Sequence, residues 1–234
     1  MGIVRTSAIA SLVAQLLIGA VTSVGFFVDL KSTQDREDLN TILVFEVSSQ
    51  IIEFLWYAIV LVRAQTITAR LRYIDWVLST PVMLISLAMF FRHRDSTSPS
   101  SSVLSIFESY EIYACLAVNW SMLAFGFAME SVWIPDVMGL LGGGLSLVGS
   151  FILLAVLSPI DTMSHILFWV TFGVWGLYGV AAAFDDVTKN VMYNAIDVVS
   201  KNCFGLFLFV YVLTRQTSDS NVASTYEGGS GSGE

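Results

Sequence analysis

The chain carries few charged residues. Only 13% of its 234 residues are Asp, Glu, Lys or Arg, whereas 55% are hydrophobic. Soluble domains typically contain about 25% charged residues, so this composition excludes an ordinary water-soluble domain. The mean hydropathy of +0.73 agrees with that conclusion. The composition therefore predicts an integral, multi-pass membrane protein whose main partner is the lipid bilayer.

Basic residues and cysteines are also scarce. The chain has 11 Lys and Arg against 19 Asp and Glu, giving a net charge of −8. Because nucleic-acid phosphates require a basic surface, the charge argues against a nucleic-acid partner. The two cysteines, Cys115 and Cys203, lie inside apolar segments. They are expected to be small buried side chains, and neither a disulfide nor a metal site is predicted.

Long apolar runs are what the chain does contain. A bilayer core requires about 20 apolar residues per helix, and the sequence predicts an all-α, seven-transmembrane helix bundle. The predicted spans are 8–28, 40–63, 72–92, 103–128, 134–157, 163–183 and 190–213. The distribution of Lys and Arg favours an N-terminus outside and a cytoplasmic C-terminus. Residues 1–218 are predicted to form the membrane domain, and 219–234 a disordered tail with a Gly/Ser linker or tag remnant.

A few ionisable residues fall inside these spans. A charge at the bilayer centre costs at least about 2.5–3.5 kcal/mol, so such residues usually face the bundle interior and mark function. Lys201 follows Asp197 by one helical turn, and Asp75 follows Arg72 by one turn. These charges alone leave two alternatives open: a structural ion-pair network between two helices, or a derivatised lysine among counter-ions.

Two sequence motifs contain these four residues. Residues 72–81 read RYIDWVLSTP, and residues 197–205 read DVVSKNCFG. In this order within seven spans, the motifs resemble those of the microbial rhodopsins. The resemblance implies that Lys201 binds all-trans retinal as a protonated Schiff base. It also implies that Asp75 and Asp197 are counter-ions, with Asp75 accepting the proton, and that Arg72 completes the counter-ion complex.

The same resemblance implies a retinal pocket. Its expected residues are Trp76, Thr80, Asn119, Met122, Gly126, Trp169 and Phe172. Asn119 is expected to face Thr80 and to link the third and fourth helices. Phe172 takes the place where the family usually has tyrosine, which predicts that Asp197 lacks one hydroxyl donor.

Two positions in the third helix bear on whether the protein pumps ions. Ser86 stands where outward proton pumps carry a carboxylic proton donor, and a serine hydroxyl has no usable pKa for that task. Asp75 keeps a negative charge where a transported halide would have to bind. Both residues disfavour pumping by the usual routes.

Polar residues in the second span repeat at helical spacing. Glu46, Gln50, Glu53 and Tyr57 follow at i, i+4, i+7 and i+11, so they lie on one face. This stripe is consistent with a structural hydrogen-bonding seam, a proton relay or a hydrated cation pathway. Channelrhodopsins, including the viral rhodopsin channels, carry glutamates along this helix, and the resemblance favours the pathway. The predicted ion pathway is Glu46, Gln50, Glu53, Tyr57, Ser11, Ser200 and Asn202.

The sequence thus predicts a retinal photoreceptor, not an enzyme, that acts as a light-gated channel for monovalent cations or protons. Two alternatives remain open. One is a sensory rhodopsin that signals through a partner. The other is a weak light-driven outward proton pump that uses a second-span glutamate as donor. A homo-oligomer is expected in the membrane.

Overall fold

The protein is a bundle of seven helical spans, each long and apolar enough to cross a membrane. The structure, a computed structural model, describes residues 2–63, 67–95, 102–159 and 161–229, with side chains as far as residue 217. Its α-helices are α1 (Ile3–Val24), α2 (Thr33–Arg63), α3 (Ala69–Arg94), α4 (Tyr110–Glu130), α5 (Asp136–Val156), α6 (Thr162–Ala182), α7 (Asp186–Asp197) and α8 (Cys203–Gly229). The predicted all-α, seven-span fold is confirmed for the described residues.

The seventh span contains a change of helix type. A π-helical turn, Val198–Asn202, joins α7 to α8 without a break in the span. The helix then continues to Gly229, into the predicted tail, and residues 230–234 lie outside the described part of the chain. A π turn rotates the residues that follow it relative to those that precede it, and such turns are frequent at functional sites.

The fourth span begins later than predicted. Residues Val103–Glu108 form a separate 3₁₀ helix, and α4 starts at Tyr110. The backbone N–H of Val103 donates to Asp38 Oδ1 at 3.3 Å, so this short helix is tied to α2. The apolar run continues through both elements, which is why hydropathy alone placed them in one span. The Ser-rich stretch before it lies outside the described residues, except for Ser102.

Aspartates define the starts of α6 and α7. The carboxylates of Asp161 and Asp185 each accept hydrogen bonds from two backbone N–H groups of the first turn, at 3.0–3.3 Å. These bonds satisfy donors that have no partner within the helix. Asp161 also accepts from Arg94 Nη2 at 3.0 Å. Although partial burial raises the pKa of Asp161, hydrogen bonds from Ser164 and Arg94 hold the pKa below its usual value.

Helix α3 lies at the centre of the bundle. Its most apolar window is 72% buried, compared with 11% for α6. The second half of α3, residues 83–91, forms much of the largest hydrophobic cluster. The first half carries Arg72 and Asp75, both almost completely buried. The buried charges of α3 therefore lie in one half of the bundle, and much of the apolar core lies in the other.

Helices α4 and α5 pack closely because α5 is rich in glycine. A Cβ atom on Gly139 would lie 2.4 Å from Cβ of Met129, and one on Gly142 would lie 2.5 Å from the Phe125 ring. Small residues commonly permit such close approach between membrane helices. Any side chain at Gly139 would force the two helix backbones apart.

We expect Gly139→Ala to lower the thermal midpoint of the purified protein in detergent. The added methyl group overpacks a rigid contact, and overpacking costs about 1–3 kcal/mol. Gly173→Ala is the control, since a Cβ there meets no atom within 4 Å. Thermal unfolding followed by circular dichroism measures both variants. Equal midpoints would contradict the close packing at Gly139.

Candidate functional site

A cavity of about 180 Å³ lies among α3, α4, α5, α6 and the seventh span. Apolar and aromatic side chains and six glycines form most of its wall, and Lys201 lies at one end of it. The lining includes Tyr73, Trp76, Thr80, Met122, Gly126, Met129, Trp175, Tyr178, Tyr193, Ser200 and Lys201.

Lys201 lies in the π-helical turn and is only 1% exposed. Its Nζ donates to Asp75 Oδ2 and lies 3.6 Å from Glu53 Oε1. Carboxylates of α2 and α3 thus meet the lysine nitrogen from two helices. A buried cation without such partners would be strongly destabilising, so the arrangement stabilises a positive charge on this nitrogen.

Asp197 accepts four hydrogen bonds. Tyr57 Oη and Arg72 Nη1 donate to Oδ2 at 2.8 and 3.0 Å. Trp76 Nε1 and Tyr178 Oη donate to Oδ1 at 3.2 and 2.7 Å. Each oxygen of Asp197 thus accepts two hydrogen bonds, and donors from α2, α3 and α6 hold the carboxylate in place.

Asp75 has fewer partners than Asp197. Its Oδ2 contacts the Nζ of Lys201, but its Oδ1 has no hydrogen-bond partner although it is buried. A proton on Asp75 would therefore disturb fewer hydrogen bonds than one on Asp197. The two carboxylates, both predicted as counter-ions, are chemically unequal for this reason.

Arg72 is completely buried among polar and aromatic groups. Besides Asp197, its guanidinium donates to the side chain and backbone carbonyl of Asn190, at 3.3 and 3.1 Å, and to Asn194 Oδ1. The guanidinium carbon also lies 5.5 Å from the Trp56 ring centre. Sequence reasoning missed both asparagines. Their positions seven and three residues before Asp197 placed them on the face of the helix that carries Asp197 and Lys201.

The prediction that Trp169 and Phe172 line the pocket is wrong. Trp169 is 62% exposed, and Phe172 packs against a phenylalanine of α5; neither lines the cavity. Trp175 and Tyr178 line it instead. The expectation that Asp197 lacks a tyrosine donor is also wrong, because Tyr178 supplies that bond. The two aromatic pairs have the same internal spacing but lie six residues apart, which turns them to different faces of α6.

Four of the other predicted pocket residues line the cavity, and the fifth, Asn119, contacts one of them. Asn119 Nδ2 donates to Thr80 Oγ1 at 2.9 Å, so the predicted link between α3 and α4 is present. Thr80, Met122 and Gly126 line the cavity, as does Trp76. A Cβ on Gly126 would lie 2.3 Å from the hydroxyl of Tyr73, so this wall of the cavity requires glycine.

The stripe predicted on α2 is buried along its length. Glu46 and Glu53 are fully buried, and Gln50 is 3% exposed. Gln50 Nε2 lies 3.4 Å from Glu46 Oε1 and 3.5 Å from the backbone carbonyl of Lys201. Ser86 Oγ donates to Glu46 Oε2 at 3.4 Å. The long distances indicate weak hydrogen bonds.

Side chains of α1 and the π turn extend this stripe. Gln15 Nε2 donates to Ser11 Oγ at 3.0 Å, and Ser11 Oγ donates to the carbonyl of Asn194 at 3.1 Å. Asn202 is fully buried, and neither atom of its amide group has a partner. We call Ser11, Gln15, Glu46, Gln50, Glu53 and Asn202 the polar seam. Gln15 was not predicted, although it follows Ser11 by one turn.

Two predicted pathway residues belong to the counter-ion network instead. The Tyr57 hydroxyl is bound to Asp197 and Arg72. The Ser200 hydroxyl lies 2.7 Å from Tyr178 Oη, and Ser200 lines the cavity. Neither residue is part of the polar seam.

The fold and the cavity define a class of protein: a seven-span membrane protein with a buried lysine at a largely apolar cavity. The family model described as bacteriorhodopsin-like protein matches residues 6–215. The chain belongs to this family, the microbial rhodopsins. It is therefore an integral, multi-pass membrane protein of a family of photoreceptors and ion transporters whose members bind retinal through a Schiff base on a lysine.

Solved structures support the same fold. The viral rhodopsin OLPVRII matches with a TM-score of 0.79 and 22% identity, covering 91% of this chain and 99% of its own. A blue light-absorbing proteorhodopsin from Med12 and a thermophilic rhodopsin from Rubrobacter xylanophilus each match with a TM-score of 0.72 and 17% identity. Each match covers 92% of this chain and 100% of the other chain. No curated protein sequence matched.

The cavity fits the cofactor of the family. Its wall is mostly apolar, as a polyene requires, and a Cβ atom on Gly144, Gly176 or Gly179 would meet no atom within 4 Å. Room for a bulky apolar group therefore exists along α5 and α6. At the end of the cavity, the amine of Lys201 is positioned to form a Schiff base.

We expect Lys201→Ala to abolish the visible, retinal-dependent absorption band, because no other lysine among the described residues lines the cavity. Lys189→Ala is the matched control, since Lys189 is also buried but lies outside the cavity lining. Absorption spectra after reconstitution with all-trans retinal measure both. A visible band that survives in Lys201→Ala would disprove the assignment.

We expect Asp75→Asn to shift the absorption maximum to the red. The substitution removes negative charge next to Nζ of Lys201, which lowers the stabilisation of the ground-state positive charge. Asp38→Asn is the control, because Asp38 is a buried carboxylate that contacts His93 and the 3₁₀ helix instead. An unshifted maximum in Asp75→Asn would contradict the counter-ion role.

Proposed function

We propose that this chain is a light-gated cation channel. Retinal is attached to Lys201, Asp75 and Asp197 are its counter-ions, and the polar seam is the ion pathway. The proposal rests on the polar seam above all. Its two carboxylates and three amides lie within the bundle, where anions would be repelled and cations attracted.

Unsatisfied polar atoms make a purely structural role for this seam costly. Gln15 Oε1, Gln50 Oε1, both oxygens of Glu53 and both amide atoms of Asn202 are buried without a hydrogen-bond partner. Each such group costs about 1–3 kcal/mol if it stays dry. Water or a partly dehydrated cation would satisfy these atoms, which is the property that a conducting pathway needs.

The seam is held narrow by the packing of Gln50. Its amide lies against α1 and α8: a Cβ on Gly205 would lie 2.2 Å from Gln50 Nε2 and 2.8 Å from Thr22 Oγ1. A Cβ on Gly19 would lie 3.4 Å from Gln50 Oε1. Gln50 thus fills the space between the helices and separates the two glutamates. This arrangement suits a closed state.

The seam contacts Lys201 in two places, which couples it to the chromophore. Gln50 lies 3.5 Å from the Lys201 carbonyl, and Glu53 lies 3.6 Å from its Nζ. When bound, retinal would supply a light-driven isomerisation next to the lysine nitrogen. Asp75, with one unpartnered oxygen, would be placed to receive a proton from that nitrogen, while Asp197 stays paired with Arg72. Loss of the positive charge near Glu53 weakens the contacts that close the seam.

We further propose the orientation that the basic residues favour, with the N-terminus outside. Glu46 then lies toward the cytoplasmic mouth and Arg72 toward the outside. The permeating species are monovalent cations or protons.

One contact favours a second candidate, a weak outward proton pump. Ser86 occupies the usual donor position of α3, and its hydroxyl lies 3.4 Å from Glu46 Oε2. A carboxylate from α2 therefore reaches the place where a pump needs its proton donor. In that case Glu46 would reprotonate the lysine nitrogen through water molecules beside the Gln50 side chain.

Light-evoked current under voltage clamp distinguishes these functions. A current whose sign reverses with the cation gradient is expected for the channel. A current that stays outward at every voltage would identify the pump and overturn the channel. A visible retinal band without current would leave a photosensor that acts through a partner.

We expect Glu53→Gln to change the reversal potential of the photocurrent, because it removes the carboxylate nearest the lysine nitrogen from the ion pathway. Ser48→Ala is the control on the same helix, since the Ser48 hydroxyl donates back to the Val44 carbonyl at 2.6 Å. Reversal potentials in two cation gradients measure the effect. Unchanged relative permeabilities in Glu53→Gln would contradict its place in the pathway.

A further inference from the structure

The middle of α3 contains a proline, Pro81. A proline has no backbone N–H. In an α-helix that N–H would donate to the carbonyl four residues earlier, which here is the carbonyl of Val77. Pro81 therefore removes the usual backbone partner of this carbonyl. The affected turn is close to the lysine site, because Asp75, which contacts Lys201, lies only two residues before Val77.

Trp120, the middle residue of α4, supplies a replacement donor. Its indole Nε1 donates to the Val77 carbonyl at 3.2 Å. Trp120 is 50% exposed and Val77 is 42% exposed, so the bond lies on the outer face of the bundle, near the middle of the span. The hydrocarbon core holds no water that could take the place of either partner. The indole N–H and the carbonyl therefore satisfy each other.

The residue before this tryptophan contacts the same turn of α3. Asn119 Nδ2 donates to Thr80 Oγ1 at 2.9 Å, and Thr80 Oγ1 donates to the carbonyl of Trp76 at 2.7 Å. Two adjacent side chains of α4 thus restrain two consecutive peptide units of α3. Asp75 immediately precedes these units, and Trp76 lines the cavity. The orientation of this turn sets where the Asp75 carboxylate meets the lysine nitrogen.

We propose that Trp120 is a positioning residue of the retinal site. Its hydrogen bond replaces the backbone bond that Pro81 removes, and it thereby fixes Asp75 beside the lysine nitrogen. Trp120 lies outside the cavity lining, so it acts through the backbone of α3 and not by contact with the chromophore. This inference rests on retinal at Lys201 but not on ion conduction. A protein that pumps or signals would use the same hydrogen bond.

Trp120→Phe keeps an aromatic ring but removes the donor. With the Val77 carbonyl unpaired, the turn that carries Asp75 is less restrained, and its carboxylate is held less closely to the lysine nitrogen. We expect the absorption maximum of the retinal-bound protein to shift to the red, by less than in Asp75→Asn because the charge is retained. Tyr113→Phe is the control on the same helix, since Tyr113 Oη donates to the Phe107 carbonyl at 3.0 Å, and its maximum should not shift.

Pro81→Ala separates the hydrogen bond from ring packing. Alanine restores a backbone N–H at position 81, so the Val77 carbonyl no longer depends on the indole. In this background Trp120→Phe should shift the maximum by no more than about half of its shift alone. The thermal midpoint of the retinal-free protein should show the same coupling, and it needs no chromophore. If Trp120→Phe alone does not fold, Pro81→Ala should restore folding.

Three results would overturn the positioning role: an unshifted maximum in Trp120→Phe, an equal shift with and without Pro81, or the same shift in Tyr113→Phe. Each of them leaves the channel proposal intact. Absence of photocurrent together with the expected spectral shifts overturns the channel and leaves the positioning role intact.

Discussion

The buried ion pair between Arg72 and Asp197 is the interaction on which the site depends. Neither side chain is more than 1% exposed, and Arg72 Nη1 lies 3.0 Å from Asp197 Oδ2. In a medium of low dielectric constant, each charge is tolerable only because the other is present and their remaining donors and acceptors are satisfied. Asn190, Asn194, Tyr57, Trp76 and Tyr178 supply those hydrogen bonds, and these partners come from α2, α3, α6 and the seventh span.

This network leaves Asp75 and Glu53 as the less satisfied carboxylates beside Lys201. Four donors already hold the oxygens of Asp197, so a proton would meet less hydrogen bonding at Asp75 and Glu53, which have unpartnered oxygens. The same contrast separates the counter-ion network from the polar seam. Around Arg72 the polar groups are paired, whereas several polar atoms of the seam have no hydrogen-bond partner. The hydrogen-bonded pair of Arg72 and Asp197 is rigid, whereas the polar seam beside it contains polar atoms without partners. We therefore expect light to loosen the polar seam and not the ion pair.

Much of the site could be predicted because membrane burial makes ionisable residues conspicuous. The free-energy cost of a charge inside the membrane singled out four residues: Arg72, Asp75, Asp197 and Lys201. The structure brings all four together. The link between Thr80 and Asn119 was also predicted. The error in α6 arose because an aromatic side chain that faces lipid costs little free energy. Trp169 faces outward at no penalty, so its position carried less information than that of a charge.

The sequence by itself determined the seven spans, the family and the residues that must avoid lipid. Hydropathy and helical spacing decide these, since both depend only on local order along the chain. The tertiary structure decided which side chains share one partner: Tyr178 and Tyr57 on Asp197, and Ser86 on Glu46. Such contacts join helices distant in sequence, and helix rotation and the π turn at Lys201 set them. No periodicity within a single helix encodes that rotation.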